Sequence, residues 1–102
     1  TNPSSALLGL LFAASSIAAE SFPQEVAEYI ERREVCEHFR QEPWPEGTSV
    51  EDKARREYIA GQLERHCRGS DHALLALRQK YKNDRAVIES LEKYEADIEG
   101  AQ

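Results

Sequence analysis

Apolar residues recur at three- and four-residue steps along most of this chain, which is the spacing of amphipathic α-helices. The pattern predicts four helices, over about residues 22–39, 50–68, 71–82 and 85–99. No window shows the period-two alternation of β-branched residues that marks a strand. Four helices with short connections predict an all-α fold, either a small four-helix bundle or an orthogonal helical array.

One charged residue, Arg33, interrupts the apolar face of the first predicted helix. We expect its aliphatic stem to lie along the core and its guanidinium to reach water. The apolar residues on the four helix faces predict the core, and in chain order they are Phe22, Val26, Tyr29, Ile30, Cys36, Phe39, Val50, Ala54, Tyr58, Ile59, Leu63, Cys67, Leu74, Leu75, Leu77, Tyr81, Val87, Ile88, Leu91, Tyr94 and Ile98.

Capping residues stand at the ends of the predicted helices. Residues 21–24 and 48–51 have the sequence of a capping box. Gly69 stands where a C-terminal glycine cap belongs. The remaining end signals are Ser70 or Asp71 before the third helix and Asn83 and Asp84 before the fourth.

The first nineteen residues contain no Asp, Glu, Lys, Arg or His, and small residues follow the apolar run at 6–14. This pattern is typical of a secretory signal peptide cleaved after Ala18 or Ala19. The basic n-region and the initial Met are missing, which indicates a truncated or engineered start. A transmembrane helix is one alternative, but it needs about 20 apolar residues and this run is too short. A buried N-terminal helix is the other alternative. We interpret 1–19 as a signal-peptide remnant, disordered or removed, and 20–102 as one helical domain in the periplasm.

Cys36 and Cys67 both fall on predicted apolar faces. An even cysteine count in a short exported chain favours a disulfide. The rival interpretation is a zinc site, because His38 and His66 add two imidazoles to the two sulfurs. Neither a C-x-x-C nor an H-x₃-H spacing occurs, which argues against zinc. Two free buried thiols are the third alternative. We predict a Cys36–Cys67 disulfide and no metal or cofactor.

That disulfide constrains the linker at 41–48, where Pro43 and Pro45 flank Trp44 and favour an extended, stiff chain. In a tight hairpin, a second helix of about 25 Å would hold Cys67 at its far end well away from Cys36. A disulfide requires the Cα atoms of these two cysteines to lie within about 7 Å of each other. Eight extended residues span about 26 Å. We therefore predict that the linker runs back along the second helix and that Trp44 lies against it.

The formal net charge of −6 argues against nucleic-acid partners and against an electrostatic grip on anionic lipid. We therefore expect another protein as the partner, no nucleic acid, and no stable membrane insertion of the mature domain. No G-x-S-x-G, H-E-x-x-H or phosphate-cradling glycine loop is present. We accordingly predict a non-enzymatic protein.

Trp44, with its neighbours His38 and Glu42, forms our candidate partner-binding set, because a rigidly presented aromatic suits an interface anchor. The alternative is that Trp44 only covers the core beneath the linker. The three histidines could sense acid pH, against the simpler interpretation that they are surface or capping residues.

The pattern Cys36-x-His38-Phe39-x-x-Glu42-Pro43, followed by an arginine-rich helix ending in Cys67, resembles a loosely defined group of small exported proteobacterial proteins. The resemblance continues through Gly69-x-Asp71 and Tyr94-Glu95, covers about two thirds of the chain, and implies no established activity. In architecture the chain is also similar to periplasmic inhibitors of cell-wall hydrolases, including secretion-system immunity proteins, and to acid-activated chaperones of the HdeA type.

The leading hypothesis is a periplasmic protein-binding module, an inhibitor or immunity-type partner of a cell-wall hydrolase. Acidity would assist association with a basic hydrolase. The alternative is an acid-stress chaperone of the HdeA type.

Overall fold

A computed structural model describes residues 22–100 of the chain and contains four α-helices in that range. They are α1 (Gln24–Arg40), α2 (Val50–Cys67), α3 (Ser70–Lys80) and α4 (Arg85–Leu91). The all-α class with one disulfide is confirmed. The segment interpreted as a signal peptide lies outside the described residues. Among the described helices, none has both the length and the apolarity that crossing a bilayer requires.

Side chains cap α2 and α4, whereas α1 and α3 begin without a side-chain cap hydrogen bond, so the predicted cap of α3 by Ser70 or Asp71 is wrong. The α2 helix begins at Val50 as predicted, and its cap is Ser49, one residue after Thr48 of the predicted capping box, with the Ser49 side chain accepting from the Asp52 N–H at 3.0 Å. The Asp84 side chain caps α4 by accepting from the Val87 N–H at 3.3 Å. Gly69 adopts φ +79° between α2 and α3, a left-handed conformation that glycine favours.

The hydrophobic core lies between α1, α3, α4 and the segment after α4. Its buried members are Val26, Tyr29, Leu74, Leu77, Val87, Leu91 and Tyr94. By contrast, α2 contributes one fully buried apolar side chain, Ile59. Much of the predicted apolar face of α2 is exposed, including 81% of Val50. Helix α2 is therefore attached to the domain by other contacts besides hydrophobic burial.

The Cys36–Cys67 disulfide provides one of these contacts, with the two Cα atoms 5.0 Å apart. Beside it, the guanidinium of Arg32 donates to the carbonyls of His66, at 3.2 Å, and Arg68. These carbonyls lie at the end of α2, where main-chain acceptors lack helical partners. The C-terminal end of α2 is thus held to α1 covalently and by hydrogen bonds.

The linker between α1 and α2 runs back along α2, as predicted. Arg56, near the middle of α2, donates through Nη1 to the carbonyls of Pro45 and Gly47, each at 2.8 Å. Trp44 lies against the Ala60 side of α2. The disulfide and the proline-flanked linker therefore act together to place Trp44.

The prediction that the fourth helix continues to residue 99 is wrong, because α4 ends at Leu91. Arg78 of α3 donates through Nη2 to the carbonyls of Leu91, at 3.0 Å, and Tyr94, at 2.7 Å. These hydrogen bonds satisfy carbonyls that a continued helix would use internally. Beyond Tyr94 the chain leaves the helical path and returns to the start of α3.

Gly61 lies in the middle of α2, and a Cβ built there meets nothing within 4 Å. Replacing it with alanine is expected to raise the free energy of unfolding by about 0.5–1 kcal/mol, because alanine restricts the unfolded chain and favours the helix. Urea unfolding followed by circular dichroism measures this. The matched control is Gly69→Ala, which should destabilise because φ is positive there; a shift of both variants in the same direction would contradict the prediction.

Candidate functional site

Trp44 has half of its surface (50%) open to solvent. Its position is fixed from both sides of the linker, since Arg56 binds the carbonyls of Pro45 and Gly47 and Glu42 pairs with Arg55. An indole held this way loses little conformational entropy on binding a partner. The indole thus covers part of α2 and leaves one portion exposed, and its role in binding a partner stays a prediction.

Trp44 lines two concave surfaces. The larger, which we call the Trp44 groove, has a volume of about 550 Å³ and is lined by Arg40, Trp44, Ala60, Leu63, Glu64, Cys67, Arg68, Ile98 and Glu99. The smaller, of about 370 Å³, is lined by Trp44, Lys53, Arg56, Glu57 and Ala60. The apolar side chains of Ala60 and Leu63 of α2 form part of the lining of the larger groove.

The rim of the groove carries charges of both signs that are mostly paired. Arg40 donates to Glu37 of α1 at 2.9 Å, and Arg68 pairs with Glu64 one helical turn away. Exposed pairs of this kind contribute little to stability. Their side chains therefore remain available to rearrange around a bound partner.

His38 and Glu42 do not line the Trp44 groove within the described chain. The imidazole of His38 packs edge-on against Phe39 with the ring centroids 4.8 Å apart. Its Nε2 lies 3.5 Å from a carboxylate oxygen of Glu42. The two residues lie together where the chain leaves α1, and their part in binding stays a prediction.

The prediction that the Arg33 guanidinium reaches water is wrong, because Arg33 is only 1% exposed. Its guanidinium donates to the Tyr29 hydroxyl at 2.8 Å, the Ser70 hydroxyl at 3.1 Å and the Glu95 carbonyl at 2.9 Å. Its Nε donates to Glu37 at 2.8 Å. A buried cation is tolerated because each of these partners replaces water.

The electrostatics of this cluster follow from its burial and hydrogen bonds. Burial lowers the pKa of Arg33, but the hydrogen bonds to Glu37 and Tyr29 outweigh it, and the net pKa is raised. Tyr94 lies with its ring 5.1 Å from the guanidinium carbon of Arg33 and donates to Glu34. Burial and that hydrogen bond raise the pKa of Tyr94, and the same bond lowers the pKa of Glu34. The cluster therefore keeps Arg33 charged and Tyr94 neutral at ordinary pH.

A second open groove, of about 420 Å³, lies between α1 and α3. It is lined by Glu25, Glu28, Tyr29, Arg32, Ala73, Ala76 and Leu77. None of the predicted partner-binding residues lies there. Residues 22–100 contain no group of three or more His, Cys, Asp or Glu side chains placed to hold a metal ion.

Three residues near the Trp44 groove have roles that the sequence did not predict: Asp71, Ile98 and Glu99. Ile98 and Glu99 were predicted to belong to the fourth helix and instead line the groove. Asp71, proposed as a helix cap, uses its carboxylate to accept from the N–H groups of Ile98 and Glu99. These contacts join residues about 28 positions apart, and no local pattern encodes them.

A comparison with known protein families, curated proteins and solved structures finds no match for this chain. The fold and the groove define its class as a small all-α domain stapled by one disulfide, with a partly exposed tryptophan held over a helix.

Proposed function

We propose that this chain is an exported, periplasmic, non-enzymatic protein-binding module that uses the Trp44 groove to hold a partner. The observation that carries the proposal is the half-exposed indole of Trp44, fixed by the linker beside a groove floored by Ala60 and Leu63. Tryptophan is enriched among the residues that dominate binding energy in interfaces. The disulfide supports the compartment, because such bonds persist mainly in oxidising surroundings.

We further propose that the partner is a cell-wall hydrolase and that the chain acts as its inhibitor or immunity-type partner. The net charge of −6 supports a basic partner, since charge complementarity speeds association and disfavours partners of like charge. The small size of the domain suits a plug that occludes a cleft.

The Trp44→Ala variant tests this proposal. We expect at least an approximately 30-fold loss of affinity for a basic cell-wall hydrolase, since truncation of an interface hot spot costs about 2 kcal/mol or more. Binding is measured by isothermal titration calorimetry against the hydrolase recovered from a periplasmic extract, and inhibition by the rate of cell-wall clearing.

Leu75→Ala is the matched control, because Leu75 of α3 is a similarly exposed apolar side chain (54%) outside the groove. It should leave affinity unchanged, and both variants should unfold at the urea concentration of the wild type. Equal affinity of the Trp44→Ala and Leu75→Ala variants would contradict a role for the groove, and binding without inhibition would contradict the inhibitor assignment.

A further inference from the structure

Asp71 and Glu99 hold the end of the described chain against the start of α3 by reciprocal hydrogen bonds. The Asp71 carboxylate accepts from the N–H groups of Ile98, at 3.0 Å, and Glu99, at 2.8 Å. The Glu99 carboxylate accepts from the N–H groups of Gly69, at 2.8 Å, and Asp71, at 2.9 Å. Two carboxylates thus bind four main-chain donors, an arrangement that we call the carboxylate clasp.

The segment held by the clasp, residues 95–100, which we call the strap, has one fixed end and one clasped end. At the fixed end the buried Arg33 donates to the Glu95 carbonyl. At the clasped end Ile98 and Glu99 line the Trp44 groove. Between them, the partly buried Ala96 packs against the hydrophobic core. Detachment of the clasp alone would free residues 96–100 while Tyr94 stays in the core.

We propose that the strap closes one end of the Trp44 groove and is released when Asp71 and Glu99 become protonated. A carboxylate forms stronger hydrogen bonds with N–H donors than a neutral carboxylic acid does. Negative charge is also favoured at the N-terminus of a helix, where the clasp meets α3. Protonation weakens both interactions at once.

The two carboxylates of the clasp are held by main-chain N–H groups and not by ion pairs. Within residues 22–100, no Lys, Arg or His nitrogen lies within 4.0 Å of a carboxylate oxygen of Asp71 or Glu99. The titratable and charged groups of the elements around it include Arg32 and Arg40 of α1, Glu64, His66 and Arg68 at the end of α2, His72 of α3, and Glu95 and Asp97 of the strap. The main-chain donors therefore provide the attraction that protonation removes.

Release would lengthen the Trp44 groove toward α3 and uncover the apolar surface beneath Ala96. The importance of this opening for binding rests on the proposed function, but the opening itself does not. Trp44 is the single tryptophan of the chain, so its fluorescence reports on the groove in the absence of any partner.

The test uses the full chain at neutral pH, with the double variant Asp71→Asn/Glu99→Gln in place of protonation. Amide hydrogen exchange is measured by NMR together with Trp44 fluorescence. We expect the protection of the Ile98 and Glu99 amides to fall at least tenfold and the emission of Trp44 to shift. The protection of core amides, those of Tyr29 and Leu74 among them, should stay within twofold of the wild type.

Asp97→Asn is the matched control, because Asp97 is a strap carboxylate outside the clasp, and it should change neither readout. The second measurement follows the amide protection of Ile98 and Glu99 in the wild type as the pH decreases, with protection factors corrected for the intrinsic exchange rate. The proposal expects this protection to fall while that of the core amides is kept. Unchanged protection of Ile98 and Glu99, or loss of protection in the core to the same extent, would overturn the proposal. Neither result depends on a partner, so failure here is distinct from failure of the Trp44→Ala test.

Discussion

Replacement of Cys36 and Cys67 together with alanine is expected to lower the free energy of unfolding by about 3–4 kcal/mol. The disulfide joins residues separated by 31 positions, and closure of a loop of that length lowers the entropy of the unfolded chain, which raises its free energy by about this much. Urea unfolding followed by circular dichroism measures the change. For a domain of this size the loss is a large fraction of the total stability.

The loss should fall unevenly on the fold. Helix α2 buries one apolar side chain fully, Ile59, and depends on the disulfide and Arg32 for its attachment at the C-terminal end. We therefore expect amides of α2 to lose more hydrogen-exchange protection than amides of α3. Equal loss in both helices would show that the disulfide stabilises the domain as a whole.

The reduced wild type separates the covalent link from the packing of sulfur, because Cys36 is fully buried and its truncation leaves a small cavity. Addition of reductant should destabilise the wild type by nearly the same amount and leave the double variant unchanged. A difference below about 1 kcal/mol between oxidised and reduced wild type would contradict the chain-entropy account.

The features that the sequence predicted are those set by local pattern or by one strong geometric constraint. The first three helices lie within two residues of their predicted bounds, since each has a regular apolar period. The path of the linker followed from one disulfide and the reach of eight residues. That constraint also placed Trp44 against α2, and this contact forms half of the candidate site.

The other half of the site depends on contacts between distant residues. Periodicity continues through Tyr94 and Ile98, so the sequence alone favours a longer fourth helix. The helix ends at Leu91 because Arg78 binds the freed carbonyls and because Asp71 captures the N–H groups of Ile98 and Glu99. Long-range hydrogen bonds of this kind override helix propensity and have no signature in a single sequence.

The exposed face of α2 was mispredicted for a different reason. Its apolar residues have the correct spacing, but the linker, which contains Trp44, covers only part of the helix. Val50 and Tyr58 are left exposed. An amphipathic pattern predicts which face a helix can bury, whereas the number of neighbouring elements decides how much of that face is buried.

The second large effect is expected for Arg33→Met, which should lower the free energy of unfolding by about 3 kcal/mol. Removal of one member of a buried charged network typically costs about 3–5 kcal/mol because its partners stay buried. The Glu95 carbonyl loses its donor, and the Tyr94 ring loses one of its two cations, with Lys93 remaining 5.0 Å from the ring centroid. Urea unfolding measures the change.

The lower end of that range applies because two partners of Arg33 have other ways to be satisfied. The Tyr29 hydroxyl and the Ser70 hydroxyl lie 2.8 Å apart and bond to each other. Glu37 retains access to water and pairs with Arg40. The unavoidable loss is therefore the attachment of the strap at Glu95, since no other side chain donates to that carbonyl within residues 22–100.

Two further variants decide whether the effect arises from the buried network. Arg33→Lys keeps the positive charge but cannot reach all four acceptors with one ammonium, so it should recover only part of the lost stability. Arg65→Met, at an exposed position of α2, should change stability by less than about 0.5 kcal/mol. If Arg33→Met were as stable as Arg65→Met, a methionine in the core would replace the whole network without cost, as happens in some buried ion clusters. The fixed end of the strap would then depend on Tyr94 and Arg78 instead of Arg33.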